Sequence, residues 1–306
     1  MPAGDTVAQQ YPGKPIRIVA STTPGSGPDI MSRLIGQNFT EAWGQQVVVE
    51  NRAGASGIIG TEIAARAAPD GYTLLMMTSS HVIVSALFGK LSFDLARDFT
   101  PVSLLASTPF ILAVNPSVPA ASIKELIALA RARPGELHYG TGGAGTPPHL
   151  ATEILKTMTG IDLVHVPYKG IVPALNDTIA GQVQMTFGVV PAVLPMLKSG
   201  RLRALGVTSR QRTALVPDLP TIAETVPGYE LIGWYCLAAP TGTPPTLLGK
   251  LNAQTVAALK TADLHEKLSG LGAEPIGSTQ QDAVAFVRAQ TVKLSAALKA
   301  SGAKPE

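Results

Sequence analysis

The sequence predicts an α/β protein built as two lobes, each a mostly parallel sheet flanked by helices. Three observations carry this. Short β-branched runs alternate with segments of 3.6-residue apolar periodicity through most of the chain. A length of 306 residues exceeds what one ordinary core encloses, since domains usually run to about 100–200 residues. One unit, a strand then a small-residue loop opening on a helix, occurs twice, near 16–43 and 137–157, roughly 120 residues apart. Two such units are what two similar lobes would each contribute to a shared cleft.

Taken in order, Ile16–Ala20 reads as a strand, and Ile30, Leu34, Ile35, Phe39 and Trp43 recur at helical spacing until Gly44 supplies a left-handed cap. Val47–Glu50 reads as a second strand, Ile58–Ala67 as a helix and Thr73–Thr78 as a third strand. Beyond Pro101, Val102–Leu105 and Ile111–Val114 read as two separate strands. Pro119 precedes a helix over Ile123–Arg131, closed by Pro134-Gly135. Leu137–Tyr139, Leu163–Val166, Val183–Phe187 and Ala204–Thr208 are expected strands, with helices at Leu150–Thr157, 173–180 and 191–199. After a strand at Tyr229–Ala239 the chain turns helical apart from Glu274–Ile276, and ends in a helix over Asp282–Leu298. The crossings between lobes are expected near 106–115 and 233–240, with 1–10 a tail.

Composition excludes several function classes. Hydrophobic residues make up 45% and charged residues 15%, a globular balance. The formal charge of +3 is spread along the chain, with neither a basic run nor interleaved aromatics for nucleic acid. Cys236 is the single cysteine, so no internal disulfide or CxxC site forms, and its apolar run marks it as a buried small hydrophobe. No apolar run reaches the ~18 residues of a membrane span. Met1 to Gln10 lacks the apolar stretch of a secretion signal, which leaves a cytoplasmic protein and a mature exported one both open. No G-x-S-x-G, H-E-x-x-H or Walker pattern occurs, and the five histidines show no metal-ligand spacing. No cofactor, metal or catalytic residue is expected.

Two loops suit an anion. The first runs Ser21-Thr22-Thr23-Pro24-Gly25-Ser26-Gly27-Pro28-Asp29. Pro28 fits the first helical turn, Ser26 and Asp29 spell an acidic capping box, and Gly25 and Gly27 bare the backbone. The N–H groups of such a helix start, with roughly half a unit of positive charge, suit a carboxylate or phosphate; a plain capped loop is the competing reading. The second loop, Gly140 to His149, contains G-x-G-x-x-G at Gly140, Gly142 and Gly145. A dinucleotide site also needs an acid about 20 residues on, at the end of the next strand. That strand ends in His165-Val166-Pro167-Tyr168-Lys169, with no acid. As an anion loop, Thr141 and Thr146 supply hydroxyls, Thr146 caps the helix begun by Pro147, and His149 lies in the first turn as a neutral donor or bonded to its own loop. Three or four charge-assisted hydrogen bonds of roughly 1.5–3 kcal/mol each reach micromolar affinity after immobilisation costs.

The motifs YPGKPIRIV, PGSGPDI, VVVENRAGASGIIG, AAPDGYTLL, DFTPVSLLA, HVPYKG, PALND, GRLRALGVTS, PDLPTIAE and LGAEPIG, in this order from Tyr11 to the C-terminus, resemble the Bug family. These are the periplasmic substrate-binding proteins of tripartite tricarboxylate transporters. The resemblance implies a Venus-flytrap fold, with one lobe over 11–112 plus 236–306 and the other over 113–235. It also implies export with loss of a signal peptide, hinge closure on a ligand, and docking on membrane transporter subunits. A carboxylate would be held by the first strand–helix loop of each lobe. Where relatives commonly read F-A-P-G-G-G-x-D, this chain carries Thr22, Thr23 and Ser26 before Gly27 and Asp29. Thr78-Ser79-Ser80-His81 should face the cleft, with His81 either pairing with a second carboxylate or exposed on a loop. Many relatives carry Asp-Asn after the strand ending at Phe187; Gly188-Val189-Val190 stands here, which removes a partner for an ammonium. Phe187, Val189 and Tyr168 then form an apolar wall, unless Tyr168 only packs. The expected ligand-binding set is therefore Thr22, Thr23, Ser26, Gly27, Asp29, Ser80, His81, Thr141, Gly142, Gly145, Thr146, His149, Tyr168, Phe187 and Val189. The expected function is capture of an amine-free dicarboxylate or aromatic carboxylate, terephthalate-like at the extreme, by a periplasmic monomer that feeds a transporter. The alternatives are a ligand-sensing subunit for a signalling partner and a nucleotide-dependent enzyme.

Overall fold

In the computed structural model, which describes residues 11–301, β-branched runs become strands and each of the first three feeds a helix. The order begins β1 (Ile16–Ala20), α1 (Gly27–Trp43), β2 (Val47–Asn51), α2 (Ile58–Ala65), β3 (Thr73–Thr78) and α3 (Ser79–Phe88). A short α4 (Leu95–Asp98) leads into the long β4 (Phe99–Val114) and α5 (Ile123–Ala132). Three more strand–helix pairs follow: β5 (His138–Thr141) with α6 (Pro147–Thr159), β6 (Val164–Pro167) with α7 (Ile171–Ala180), and β7 (Met185–Val189) with α8 (Val190–Lys198). The chain ends with β8 (Arg203–Val207), β9 (Ile232–Pro240), α9 (Pro245–Leu259), α10 (Ala262–Gly270), β10 (Glu274–Pro275) and α11 (Gln280–Ser301). The expected tail over 1–10 lies outside the described residues.

The strands form one curled sheet in the order β2-β1-β3-β9-β4-β7-β5-β6, with β8 and β10 also on β4. β1 runs parallel to β2 (Ile18↔Val49) and to β3 (Ile18↔Leu74). The path crosses between halves only along β4. From Phe99 to Pro109 this strand pairs antiparallel with β9; from Phe110 to Val114 it pairs with β7 and β8 instead. The two strands expected at Val102–Leu105 and Ile111–Val114 are therefore one. The Ser107-Thr108-Pro109 stretch reads as a break, but β9 pairs with it continuously and the Thr108 hydroxyl donates to the Gly272 carbonyl at 2.9 Å. Register shifts at Pro101/Ser103 and Leu104/Ala106 absorb the strand's bending, as bulges do.

Helix α3 was not expected from the β-branched run after Ser79. It begins with a capping box in which the Thr78 N–H donates to Nδ1 of His81, so an imidazole stands where Glu or Gln is usual. Under one sheet face, Met31, Ile35 and Phe39 of α1 bury against Ile16, Ile18, Leu74 and Met76. At about 1.5–3 kcal/mol per large side chain, those three α1 residues contribute several kcal/mol, an upper bound for an extended reference chain. On the other face one contiguous cluster joins Leu75 and Val82 of the first half to Leu112, Tyr139 and Phe187 of the second. Helix α11 contributes Val287, Leu294 and Leu298 to it and packs against both α3 and α6.

Candidate functional site

Six helices start at the carboxyl ends of six strands: α1, α2 and α3 after β1, β2 and β3, then α6, α7 and α8 after β5, β6 and β7. Ligands of open α/β sheets bind at this edge, where each helix start leaves N–H donors and about half a positive charge. The two groups meet through α3. A Cβ on Gly145, in the loop before α6, would lie 3.2 Å from Val84 Cγ2 of α3.

The first loop is held from inside. The Ser26 hydroxyl donates to the Thr23 carbonyl at 2.7 Å and therefore accepts from Thr22 Oγ1, also at 2.7 Å. Ser26 stands at the N-cap of α1 without a side-chain capping bond, so the expected Ser26–Asp29 capping box does not form. The Asp29 carboxylate instead accepts from the Gly25 N–H at 2.8 Å and from Asn51 at 2.9 Å, and it pairs with Arg33. Burial opposes ionisation of Asp29, but the bonds from Arg33, Gly25 and Asn51 outweigh it and hold its pKa below the usual value. This residue fixes the loop's shape. Thr23 is exposed and Ser80 half-buried at the start of α3, and among the described residues neither hydroxyl has a protein partner.

His81 is buried at 7% exposure rather than on an exposed loop. Its Nδ1 accepts from the Thr78 N–H at 3.0 Å, which leaves the ring proton on Nε2 to donate to Ser21 Oγ at 2.8 Å. Burial pushes its pKa down to about 4. Both nitrogens are thus engaged by the protein, and a neutral imidazole ties α3 to the first loop.

In the second loop Thr141 accepts from the Gly143 N–H at 3.1 Å and lies 2.7 Å from Nε2 of His165. Thr146 is at the N-cap of α6, but its hydroxyl donates to the Gly143 carbonyl rather than to the helix, a second departure from the expected capping. Nδ1 of His149 accepts from the Gly145 N–H at 3.4 Å, a bond within its own loop, and its ring stacks on His165 at 4.5 Å. The glycines serve close packing: a Cβ on Gly142 would sit 3.3 Å from the Gly170 and Ile171 backbone. The Tyr168 ring lies over Gly140, where a Cβ would stand 3.2 Å from it, and its hydroxyl donates to Asp177 at 2.7 Å. Burial, then Asp177, raises its pKa to about 12. Phe187 is fully buried in the core opposite Leu112, whereas Val189 is half-buried at the strand end.

Sequence reasoning missed Tyr235 of β9. Its hydroxyl lies over Gly27, so close that a Cβ there would collide with it and stand 3.3 Å from its Cζ. An aromatic in a strand carries no signal of this; Gly27 in the first helical turn is the clue. Among the described residues no cluster of three His, Cys, Asp or Glu side chains could hold a metal, and no helix is long and apolar enough to cross a membrane. Cys236 is fully buried, and burial pushes its thiol up to about 12, away from the thiolate form. A surface hollow of about 710 Å³, lined by Leu194, Leu197, Leu215 and Leu219, shares no residue with either loop.

Residues 31–303 match the tripartite tricarboxylate transporter family receptor, TctC. The chain is 35% identical over 305 residues to protein BugT of Bordetella pertussis, covering 99% of this chain and 94% of BugT. Among solved structures it is similar to Rpa4515 of R. palustris with adipate, at 38% identity and a TM-score of 0.88, covering 97% of this chain and all of that one. MatC from Rhodopseudomonas palustris with bound malate follows the same fold at 29% identity and a TM-score of 0.84, covering 94% of this chain and all of MatC. The family match spans most of the sequence, and BugT is 35% identical over nearly all of it; this chain therefore belongs to the tripartite tricarboxylate transporter receptor family, the Bug/TctC periplasmic binding proteins.

Proposed function

We propose that this protein captures a small amine-free carboxylate in the periplasm, between lobes 11–112 plus 236–306 and 113–235, and delivers it as a monomer to a tripartite transporter in the membrane. The carrying observation is the pairing of two small-residue helix starts through α3, each rich in hydroxyls and backbone donors. The free hydroxyls of Thr23 and Ser80, with the backbone of Gly27 and Gly142, are the contacts on the ligand side, while the Gly145 N–H is held by His149. Thr22, Ser26, Asp29 and His81 shape the first loop from behind, as Thr141, Thr146 and His149 shape the second. Val189 and the Tyr168 ring border the ligand, and Phe187 supports them from the core.

Among the described residues the acids nearest these loops are already partnered: Asp29 by Arg33 and Asn51, Asp177 by Tyr168, and Glu153 by Tyr139 and Lys156. An ammonium group would compete with those partners for an acid and would lie in the positive field of the helix starts, which disfavours amino acids. Adipate and malate, bound by the two relatives above, are dicarboxylates without an amine. A rigid aromatic dicarboxylate such as terephthalate fits the same donor logic.

A thermal-shift screen with mono-, di- and tricarboxylates, amino acids and NAD tests this. A ligand at about 100 times its Kd adds roughly 2.7 kcal/mol and moves the melting point by a few degrees at this size. A shift confined to amine-free acids supports the reading. Stabilisation by aspartate or glutamate above every amine-free acid, or by NAD alone, overturns it.

A further inference from the structure

We propose that the Tyr235 hydroxyl is a specificity-determining donor, giving its hydrogen bond to a carboxylate oxygen of the ligand at the first turn of α1. The inference rests on the carboxylate-binding reading above and adds to it a residue from outside both anion loops.

Tyr235 lies in an interior strand, level with the carboxyl end of β3. It pairs with Thr78, the last residue of β3 before α3 begins, and on its other side with Ala106. Its neighbours Trp234 and Cys236 bury in the cluster shared by the two halves, while Tyr235 packs at the margin of the cluster beneath α1. Alternation along the strand therefore aims this ring toward α1. There its hydroxyl occupies the space that a side chain at position 27 would need. Gly27 has no left-handed backbone to explain it, so the glycine makes room for the hydroxyl.

The hydroxyl also stands apart from its kind. Of the six tyrosines, five use their oxygen within the protein: Tyr11 donates to Gly71, Tyr139 to Glu153, Tyr168 to Asp177 and Tyr229 to Ala151, while Tyr72 accepts from Gly13. Among the described residues the Tyr235 oxygen has no such partner. The residue is half-buried, and burial raises its pKa to about 12, so the hydroxyl keeps its proton throughout the working pH range. Beside it, the first bond inside α1 is from Ile30 N–H to the Ser26 carbonyl. The amides of Gly27 and Asp29 precede that bond, and Pro28 between them has no N–H. A carboxylate at this point gains two backbone donors and one phenol.

Three donors on one carboxylate also imply selectivity. An amide or ester in the same place offers a weaker acceptor, and an amide brings N–H groups that face donors. Tyr235 thus favours the ionised acid over its neutral derivatives.

The test compares wild type with Tyr235→Phe by calorimetric titration with adipate, malate and terephthalate, alongside melting of the unligated proteins. Loss of one charge-assisted hydrogen bond predicts binding weakened roughly 10- to 100-fold. The unligated melting temperature should hold or rise, because no protein partner is orphaned by the change. Gly27→Ala, whose Cβ displaces the hydroxyl, should weaken binding in the same direction. Equal affinities for wild type and Tyr235→Phe overturn the assignment while leaving the carboxylate reading intact. A fall in unligated melting temperature that accounts for the loss of binding overturns it too, since the role is then structural. Failure of wild type to bind any of the three acids refutes the carboxylate reading and this assignment with it.

Discussion

Protonating His81 should unfasten the first loop and destabilise the fold at mildly acidic pH. Folded, the ring must be neutral, because Nδ1 accepts from the Thr78 N–H at 3.0 Å and a protonated ring has no lone pair to offer there. Unfolded, it titrates near its ordinary 6.5; folded, burial holds it at about 4. A depressed histidine contributes stability that is complete above the unfolded pKa and is lost as pH falls through this window, since the unfolded state then binds the proton more tightly. The whole displacement is worth about 3 kcal/mol, of which about 2 kcal/mol disappears between pH 7 and pH 5. The groups bonded to the ring, Ser21 and Thr78, do not titrate, so the window belongs to His81 itself. His81→Gln is the reference variant: glutamine at this position completes a Thr-x-x-Gln capping box and carries no proton switch. Urea unfolding of both proteins at pH 7, 6 and 5 reads the difference directly. Wild type should lose about 2 kcal/mol relative to the variant over that range, and a gap independent of pH would refute the buried neutral assignment.

Three further variants test particular contacts. Gly60→Ala should destabilise by about 1–3 kcal/mol despite alanine's better helix propensity, because its Cβ would lie 2.7 Å from the Arg52 carbonyl oxygen and 2.8 Å from Ser21 Cβ. Chemical denaturation measures it, and a stabilised variant would mean that the loops yield. Asp29→Asn should weaken carboxylate binding roughly tenfold, about 1.4 kcal/mol, because the Arg33 ion pair and one acceptor for the Gly25 and Asn51 donors are lost. Since the Asp29 pKa is lowered, the carboxylate's contribution to stability is complete above its ordinary value and is lost only as pH falls below that value through the lowered one, so the two proteins should converge in melting temperature only in strong acid. Tyr229→Phe removes a 2.9 Å bond to the Ala151 carbonyl and should cost about 0.5–1.5 kcal/mol in urea unfolding while leaving ligand affinity unchanged.

The elements whose signal is local were legible. Strand β1 and helix α1 could be read because apolar spacing, Pro28 and the left-handed Gly44 all lie within the segment they govern. Helix α3 was not legible, since Val82, Ile83 and Val84 favour strands and its start depends on an imidazole acting as a capping acceptor. The join between β4's two parts was hidden for another reason. Nothing near Ser107-Thr108-Pro109 announces pairing with Ile232–Trp234, more than a hundred residues away, and only that partner turns a polar, proline-containing stretch into strand.

The site divides along the same physical line. Its loops were legible because glycines, prolines and hydroxyls between a strand and a helix report local backbone geometry. What each hydroxyl does was not, because Ser26 and Thr146 choose between capping their own helix and closing their own loop, and they take carbonyls that the sequence does not rank. The role of His81 needed its burial, and burial is set by α3 packing beneath the first loop rather than by any motif. Tyr235 lies furthest from sequence. It comes from the antiparallel strand inserted between β3 and β4, and it reaches α1 only because Gly27, over two hundred residues earlier, leaves its hydroxyl a place. A glycine at a helix start thus has two readings, a bared amide for an anion or a seat for a distant side chain. At position 27 the two coincide, and the first turn of α1 is where a carboxylate would meet both the amide and the phenol.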